Sequence, residues 1–206
     1  MIPENDNITE GGVGVARSKE FEESAVLEKA MKLFWEQGYE KTSMNDLVEH
    51  MGIHRRSLYD TFTDKHTLFL KAIDRFGERF NARMSAGVKQ SETAEQALKF
   101  VFQYMIHGDE DVPPGCMVVN SAVELGIRDE EVDAKATEAF AKAEQLVREI
   151  VFWGQQNGEF TREYEAEELA EYLHNALVGI RVMKRTSIPQ EKLERIADVS
   201  IRFVKK

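Results

Sequence analysis

Two apolar stripes of helical spacing, each barely two turns long, flank a single glycine: Met44, Leu47, Val48 and Met51 precede Gly52, and Leu58 and Phe62 follow it. Residues three and four apart share one face of a helix, so each run buries only a narrow strip and is too short to hold a helix by itself. Such a pair folds only inside a compact helical unit that supplies further walls. Ser43 with Asp46 three residues on has the form of a capping box opening the first run, and Gly52 is placed to close it. The preceding stripe, Leu27, Ala30, Met31 and Phe34 ahead of Gly38, predicts one wall as a helix starting at Ser18. Thr63 or Asp64 can cap another wall, a longer helix carrying Leu68, Phe69, Ala72, Ile73 and Phe76.

Apolar periodicity predicts further helices over 94–106, 117–125, 130–156, 165–185 and 190–204, punctuated by Pro113-Pro114-Gly115, Gly158 and Ser187-Ile188-Pro189. No alternating run of β-branched residues interrupts them, so the expected fold class is all-α. Residues 1–17, with Gly11, Gly12 and Gly14, are expected as a disordered tail, followed by a helical domain over 18–64, a connecting helix over 65–87 and a larger helical domain over 88–206. At 206 residues, 42% hydrophobic and 31% charged, the chain falls outside the disordered and collagen-like classes. One cysteine, no secretory h-region and no apolar run near the roughly 18 residues of a membrane span lead to the expectation of a soluble, cytoplasmic protein.

A net charge of −10 argues against a polyanion as partner, because nucleic-acid binding depends on basic contacts that release counterions. The charge is unevenly spread, however: residues 17–79 carry 11 Lys and Arg against 12 Asp and Glu, so most of the excess acid lies elsewhere. Two short helices joined by a glycine turn form a helix-turn-helix, whose second helix can enter a DNA major groove about 12 Å wide. With Leu58 and Phe62 facing the core, a 100° step per residue turns Arg56 and Asp60 outward and puts Tyr59 on the flank. Arg55 and Arg56 occupy the first turn, the end that reaches base edges, and an arginine fork matches guanine O6 and N7. Lys65 adds a cation at the start of the following helix, where the dipole already favours anions.

The stretch "TSMNDLVEHMGIHRRSLYDTFTDKHTLFLKAI" resembles the DNA-binding segment of TetR-type repressors, and with the helix ending at Phe34 and Gly38 the resemblance covers roughly residues 20–75. It implies a three-helix helix-turn-helix domain joined by a fourth helix to a ligand-binding and dimerisation domain. It implies phosphate contacts from Thr42 or Ser43, Tyr59 and Lys65, and base recognition from Arg55, Arg56 and Ser57. Asp60 departs from the neutral residue often found at its position, and either repels phosphate or accepts from a cytosine amino group. The function implied is a ligand-responsive transcriptional regulator, a repressor bound to palindromic double-stranded operator DNA as a homodimer and released by a small-molecule effector. The dimer is expected through about 165–205, where Leu169, Tyr172, Leu173, Ala176, Leu177 and Ile180 form a broad stripe and small Ala176 and Gly179 permit close approach.

The effector pocket is expected from Phe100, Tyr104, Cys116, Asn120, Glu124 and Trp153, with Asn120 and Glu124, one helical turn apart, as its polar groups. Cys116 is expected at a helix N-terminus, where the dipole favours a thiolate, which raises the alternative of a repressor that senses electrophiles or oxidants. A second alternative is a helical small-molecule-binding protein without an operator, favoured by the net acid and by Asp60. His50 and His54 are four apart but Gly52 breaks the helix between them, and His66, His107 and His174 are isolated, so no metal is expected. With no nucleophile and base pair and no phosphate loop, neither enzyme activity nor a cofactor is expected.

Overall fold

The computed structural model describes residues 13–206, with side-chain surroundings from residue 23 onward. Its elements are α1 (Val13–Gln37), α2 (Met44–Met51), α3 (Arg55–Phe62), α4 (Lys65–Lys89), α5 (Ala94–His107), α6 (Met117–Leu125), α7 (Glu130–Asn157), α8 (Ala166–Met183) and α9 (Gln190–Val204). Apart from one isolated bridge between Phe160 and Lys205, all regular structure among the described residues is helical, which makes the fold all-α. No described helix is long and apolar enough to cross a membrane.

Several helix ends shift by one or two residues from the sequence expectation, and two differences have a visible cause. Residues 13–17, expected as tail, belong to α1, since a nucleated helix gains one hydrogen bond for each residue it adds; the rest of the expected tail lies outside the described residues. α8 stops at Met183 because the chain tightens there. Arg185 N–H bonds the Val182 carbonyl and Thr186 N–H the Met183 carbonyl, both three residues back.

The caps are those the sequence announces. Ser43 Oγ accepts from Asp46 N–H, and the Asp46 carboxylate accepts from Ser43 N–H at 2.8 Å. That pairing holds the Asp46 carboxyl below the usual carboxylate range. Gly52, at φ +72°, closes α2 with its N–H shared between the Val48 and Glu49 carbonyls. Of the two expected caps for α4 it is Asp64 that accepts, from Thr67 N–H at 2.7 Å.

The buried apolar side chains form two clusters whose border does not follow the chain order. One holds Phe34, Leu47, Met51, Leu58, Phe62, Phe69 and Phe76 of α1–α4, with the Phe34 and Phe69 rings edge to face at 5.0 Å. Met117, Val118 and Leu125 of α6, and Val132 and Ala136 of α7, belong to this same cluster. The other is built by Met84, Leu98, Phe102, Val147, Val151, Phe160, Leu173, Leu177 and Ile201, from α4, α5 and α7 to α9 and the α7–α8 turn. α6 therefore shares the core around the helix-turn-helix although more than 50 residues of chain separate them.

Candidate nucleic-acid interface and internal cavity

α3 buries Leu58 and Phe62, half-buries Thr61 and offers the rest to solvent: Arg55, Arg56, Ser57, Tyr59 and Asp60 are all exposed. Its N-cap, His54, makes no side-chain cap bond, so no side chain of its own cap takes up the amides of the first turn. Arg55 stands 5.9 Å over the Tyr59 ring and donates to Asn45 Oδ1 at 3.3 Å. Arg56, 92% exposed, pairs with Asp60 one turn on at 3.7 Å. Two such exposed groups contribute little to stability, so the pair orients the guanidinium and leaves it free to exchange partners. Asp60 is thereby the intrahelical counter-ion of Arg56.

Lys65 opens α4 with its ammonium 4.1 Å over the Tyr39 ring, and Ser43 is exposed at the start of α2. Burial raises the Tyr39 pKa, helped by the neighbouring Glu40, Asp129 and Asp64 carboxylates, so the ring facing Lys65 stays a neutral phenol. Thr42 needs correction. It is fully buried and its hydroxyl donates to the Gly38 carbonyl at 2.6 Å, so it fastens the α1–α2 turn and has no surface left for a phosphate.

A cavity of about 300 Å³ lies at the seam between the two apolar clusters. Ile73, Phe76 and Val118 come from the cluster around the helix-turn-helix, and Met84, Val101, Met105, Val147 and Leu177 from the other. Exposed Asp74, Glu78, Asn81, Glu138 and Lys142 form a polar rim between α4 and α7, while Arg181 of α8 is buried at 6% exposure. The rim charges are matched: Asp74 with Lys135, Glu138 with Lys142, and Glu78 with Arg75 at 3.7 Å. His174 also lines the space; burial lowers its pKa from 6.5, and Glu144 at 3.6 Å opposes that only in part.

The six residues expected to make a pocket are not brought together. Cys116, the N-cap of α6, lies on the cavity wall. Tyr104 instead faces a smaller cleft beside it, where burial and the Asp109 carboxylate at 2.9 Å push its phenol up to about 12. Phe100 packs over Gly87, Trp153 packs against the second cluster, and Asn120 has a buried Nδ2 without a partner among the described residues; none of the three lines the cavity.

Glu124 has a different task. Its carboxylate accepts from Tyr39 N–H at 2.9 Å and Glu40 N–H at 2.8 Å, the amides that follow Gly38 at the end of α1. Gly38 sits at φ +85°, and a Cβ there would stand 2.7 Å from the Glu124 carboxylate, so glycine is required both for the turn and for the approach. Arg185 in turn donates to the Trp35 carbonyl at 2.9 Å and the Glu36 carbonyl at 3.1 Å, a cation at a helix C-terminus where the dipole favours it. Glu124 and Arg185 thus clasp the C-terminus of α1 from α6 and from the end of α8. Nothing in the local spacing of either residue signals this, because the partners are backbone groups far away in sequence.

Comparisons with known proteins agree with this fold. Residues 26–72 match the family "Bacterial regulatory proteins, tetR family", and residues 74–199 match "Tetracyclin repressor-like, C-terminal domain". The chain is 33% identical over 190 residues to the HTH-type transcriptional repressor ComR of Escherichia coli strain K12, covering 91% of this chain and 90% of that protein. It is 30% identical over 190 residues to YezE, an uncharacterized HTH-type transcriptional regulator of Bacillus subtilis strain 168, covering 91% and 98%. Among solved structures it is similar to a cysteine mutant of the TetR family regulator CifR complexed with 26-bp double-strand operator DNA, at 26% identity and TM-score 0.78 over 88% of this chain and 95% of that one. A TetR family regulator from Cytophaga hutchinsonii, 20% identical, shares the fold at TM-score 0.81 over 92% and 96% of the two chains.

Proposed function

The chain belongs to the tetR family of bacterial transcriptional regulators, and from that premise we propose that it is a repressor that reads a near-palindromic operator as a homodimer and releases it when a small molecule fills the seam cavity. The observation that carries the reading is α3 itself, two turns anchored by Leu58 and Phe62 with both arginines exposed at its free N-terminal end. In this reading Arg55, Arg56 and Ser57 meet base edges, and Ser43, Tyr59 and Lys65 meet phosphates. Regulators of this kind act in the cytoplasm, and regulation needs no catalysis. The proposed division of labour gives residues 18–64 to DNA, 65–87 to the connection and 88–206 to effector and partner.

A single two-turn helix contacts too few bases for useful specificity, which a two-fold dimer remedies. Tyr172, Val182, Val199 and Phe203 are exposed on α8 and α9, the Tyr172 and Phe203 rings lie 5.1 Å apart, and a Cβ added at Gly179 meets nothing within 4 Å. These features support α8 and α9 as the face that pairs. For release, the effector must bind one spacing of the two reading helices better than the other. The cavity is suited to that because its walls come from both clusters and α6 carries the clasp residue Glu124.

The test is a mobility shift on the promoter of the protein's own gene at several salt concentrations. A specific complex is expected, with Lys65→Ala weakening binding to all sequences and flattening the salt dependence by about one unit. Equal binding to unrelated DNA would overturn the operator assignment. The position of Cys116 on the cavity wall favours a second reading, in which the effector is an electrophile that modifies the thiol. Loss of operator binding on treatment with such a reagent in wild type, and retention in Cys116→Ser, would establish it.

A further inference from the structure

The effector reading leaves the chemistry of the effector open, and one side chain narrows it. Arg181 is 6% exposed and stands between the two spaces, lining both the cavity and the smaller cleft that holds Tyr104 and Asp109. Its one hydrogen bond among the described residues runs from Nη1 to the Met105 carbonyl at 3.3 Å, and its buried Nε has no partner. No carboxylate of the described residues comes within 4.0 Å of this guanidinium, although the neighbouring groups show how readily such pairs form here. Asp109, in the adjoining cleft, is engaged by Tyr104, Arg79 and Arg83. The acids of the rim are engaged by Lys135, Lys142 and Arg75.

A desolvated guanidinium without a counter-ion is costly, and one so placed is most easily compensated by an anion that arrives with the ligand. The rest of the wall sets the other half of the ligand. Phe76, Phe80, Met84, Val101, Leu146 and Leu177 offer an apolar surface with no hydrogen bonds to give. A volume of about 300 Å³ lies at the small end of the range for such sites, roughly 300–1,000 Å³. Resting on the reading that this cavity takes the effector, we propose that the effector is a small apolar organic acid whose carboxylate is held by Arg181 and whose hydrocarbon body lies among these side chains. An arginine fork receives a carboxylate through two parallel N–H donors, which fixes orientation as well as charge. Arg181 stands one helical turn before Arg185, the residue that grips the end of α1, so a ligand pulling on Arg181 acts on the same end of α8 that holds the DNA-reading unit.

The test uses the full chain and three probes of equal shape: octanoate, octanamide and octylammonium, titrated by calorimetry. Wild type is expected to bind octanoate about tenfold or more tightly than octanamide, as a charge-assisted pair in a desolvated site should, and to reject octylammonium. Arg181→Met, close in length and apolar, should bring octanoate down to the level of the amide while leaving the amide unchanged. The wild-type ranking stands without the variant if the variant fails to fold. Equal binding of acid and amide by wild type, no binding of octanoate, or an acid preference that survives Arg181→Met would each overturn the proposal. Operator binding is measured in parallel: an operator complex without an acid preference sinks the ligand class alone, and an acid preference without an operator complex sinks the regulatory reading while the site stands.

Discussion

Every side chain that the exposed face of α3 offers, Arg55, Arg56, Ser57, Tyr59 and Asp60, lies within one short run of sequence, whereas the cavity takes its walls from α4, α5, α6, α7 and α8, between Ile73 and Arg181. The proposed reading face is a local object. Its two anchors, Leu58 and Phe62, set the orientation of every other residue on the helix, so a list of residue types at fixed spacing nearly describes it. The cavity is a gap left where two apolar clusters fail to close on each other, and its contents depend on how five helices cross. A regulator needs both kinds of object, one that can be changed residue by residue to read a new sequence and one whose shape responds as a unit.

Disrupting the proposed pairing face should have the largest effect on DNA binding. Gly179→Trp adds a ring where no described residue stands within 4 Å of an added Cβ, so folding should be retained while the dimer dissociates and operator affinity falls by about 10²–10⁴, the usual gain from linking two modules. Sedimentation and mobility shift measure the two quantities, and an unchanged dimer would place the pairing face elsewhere. Next comes the anchor of the reading helix. Leu58 is fully buried, and Leu58→Ala should lower stability by about 2–5 kcal/mol in denaturant titration and loosen α3. If α3 were a mere surface helix, that loss would leave operator binding intact in the folded fraction.

The clasp tests whether the two regions speak to each other. Glu124→Ala removes a charged acceptor from the Tyr39 and Glu40 amides, and about 1–3 kcal/mol of stability should go with it. Effector-driven release should become weaker by more than this general loss explains, since α6 would no longer hold α1; an unaltered effector response would remove Glu124 from the coupling. The smallest effect concerns pH. Burial depresses the His174 pKa below 6.5, so the unfolded chain takes up a proton there before the folded one does. The stability due to neutral His174 is complete above pH 6.5 and declines as pH falls from there toward the folded value. Melting curves at pH 7.5 and 5.5 should therefore differ less for His174→Gln than for wild type.

How much of this was legible depends on whether the physics is local. The capping box of Ser43 and Asp46, the Gly52 turn and the exposed arginines follow from neighbours in sequence, and the structure has them as expected. These residues all lie within 26–72, the stretch that matches the tetR family. Thr42 escaped because its burial is decided by the packing of α1 on α2, which no spacing reveals. Glu124 looked like a pocket group because a carboxylate one turn from Asn120 suggests a polar face, yet its partners are amides 84 and 85 residues away. Arg181 did leave a trace. Leu169, Leu173 and Leu177 step down α8 every four residues, and the next step is Arg181, a charge on the buried face where a fourth leucine would be expected. Which space that charge faces required the other four helices.

The central claim, that the exposed end of α3 reads sequence, is tested most directly by Arg56→Ala against a panel of operators substituted one base pair at a time. The arginine is 92% exposed and among the described residues its only ion pair is with Asp60, so the variant should fold as wild type does. Affinity for the preferred operator should fall about tenfold to a hundredfold, discrimination should vanish at one base position in each half-site, and binding to unrelated DNA should change little. An Arg56→Ala protein that keeps wild-type affinity and ranks the whole panel as wild type does would contradict the account.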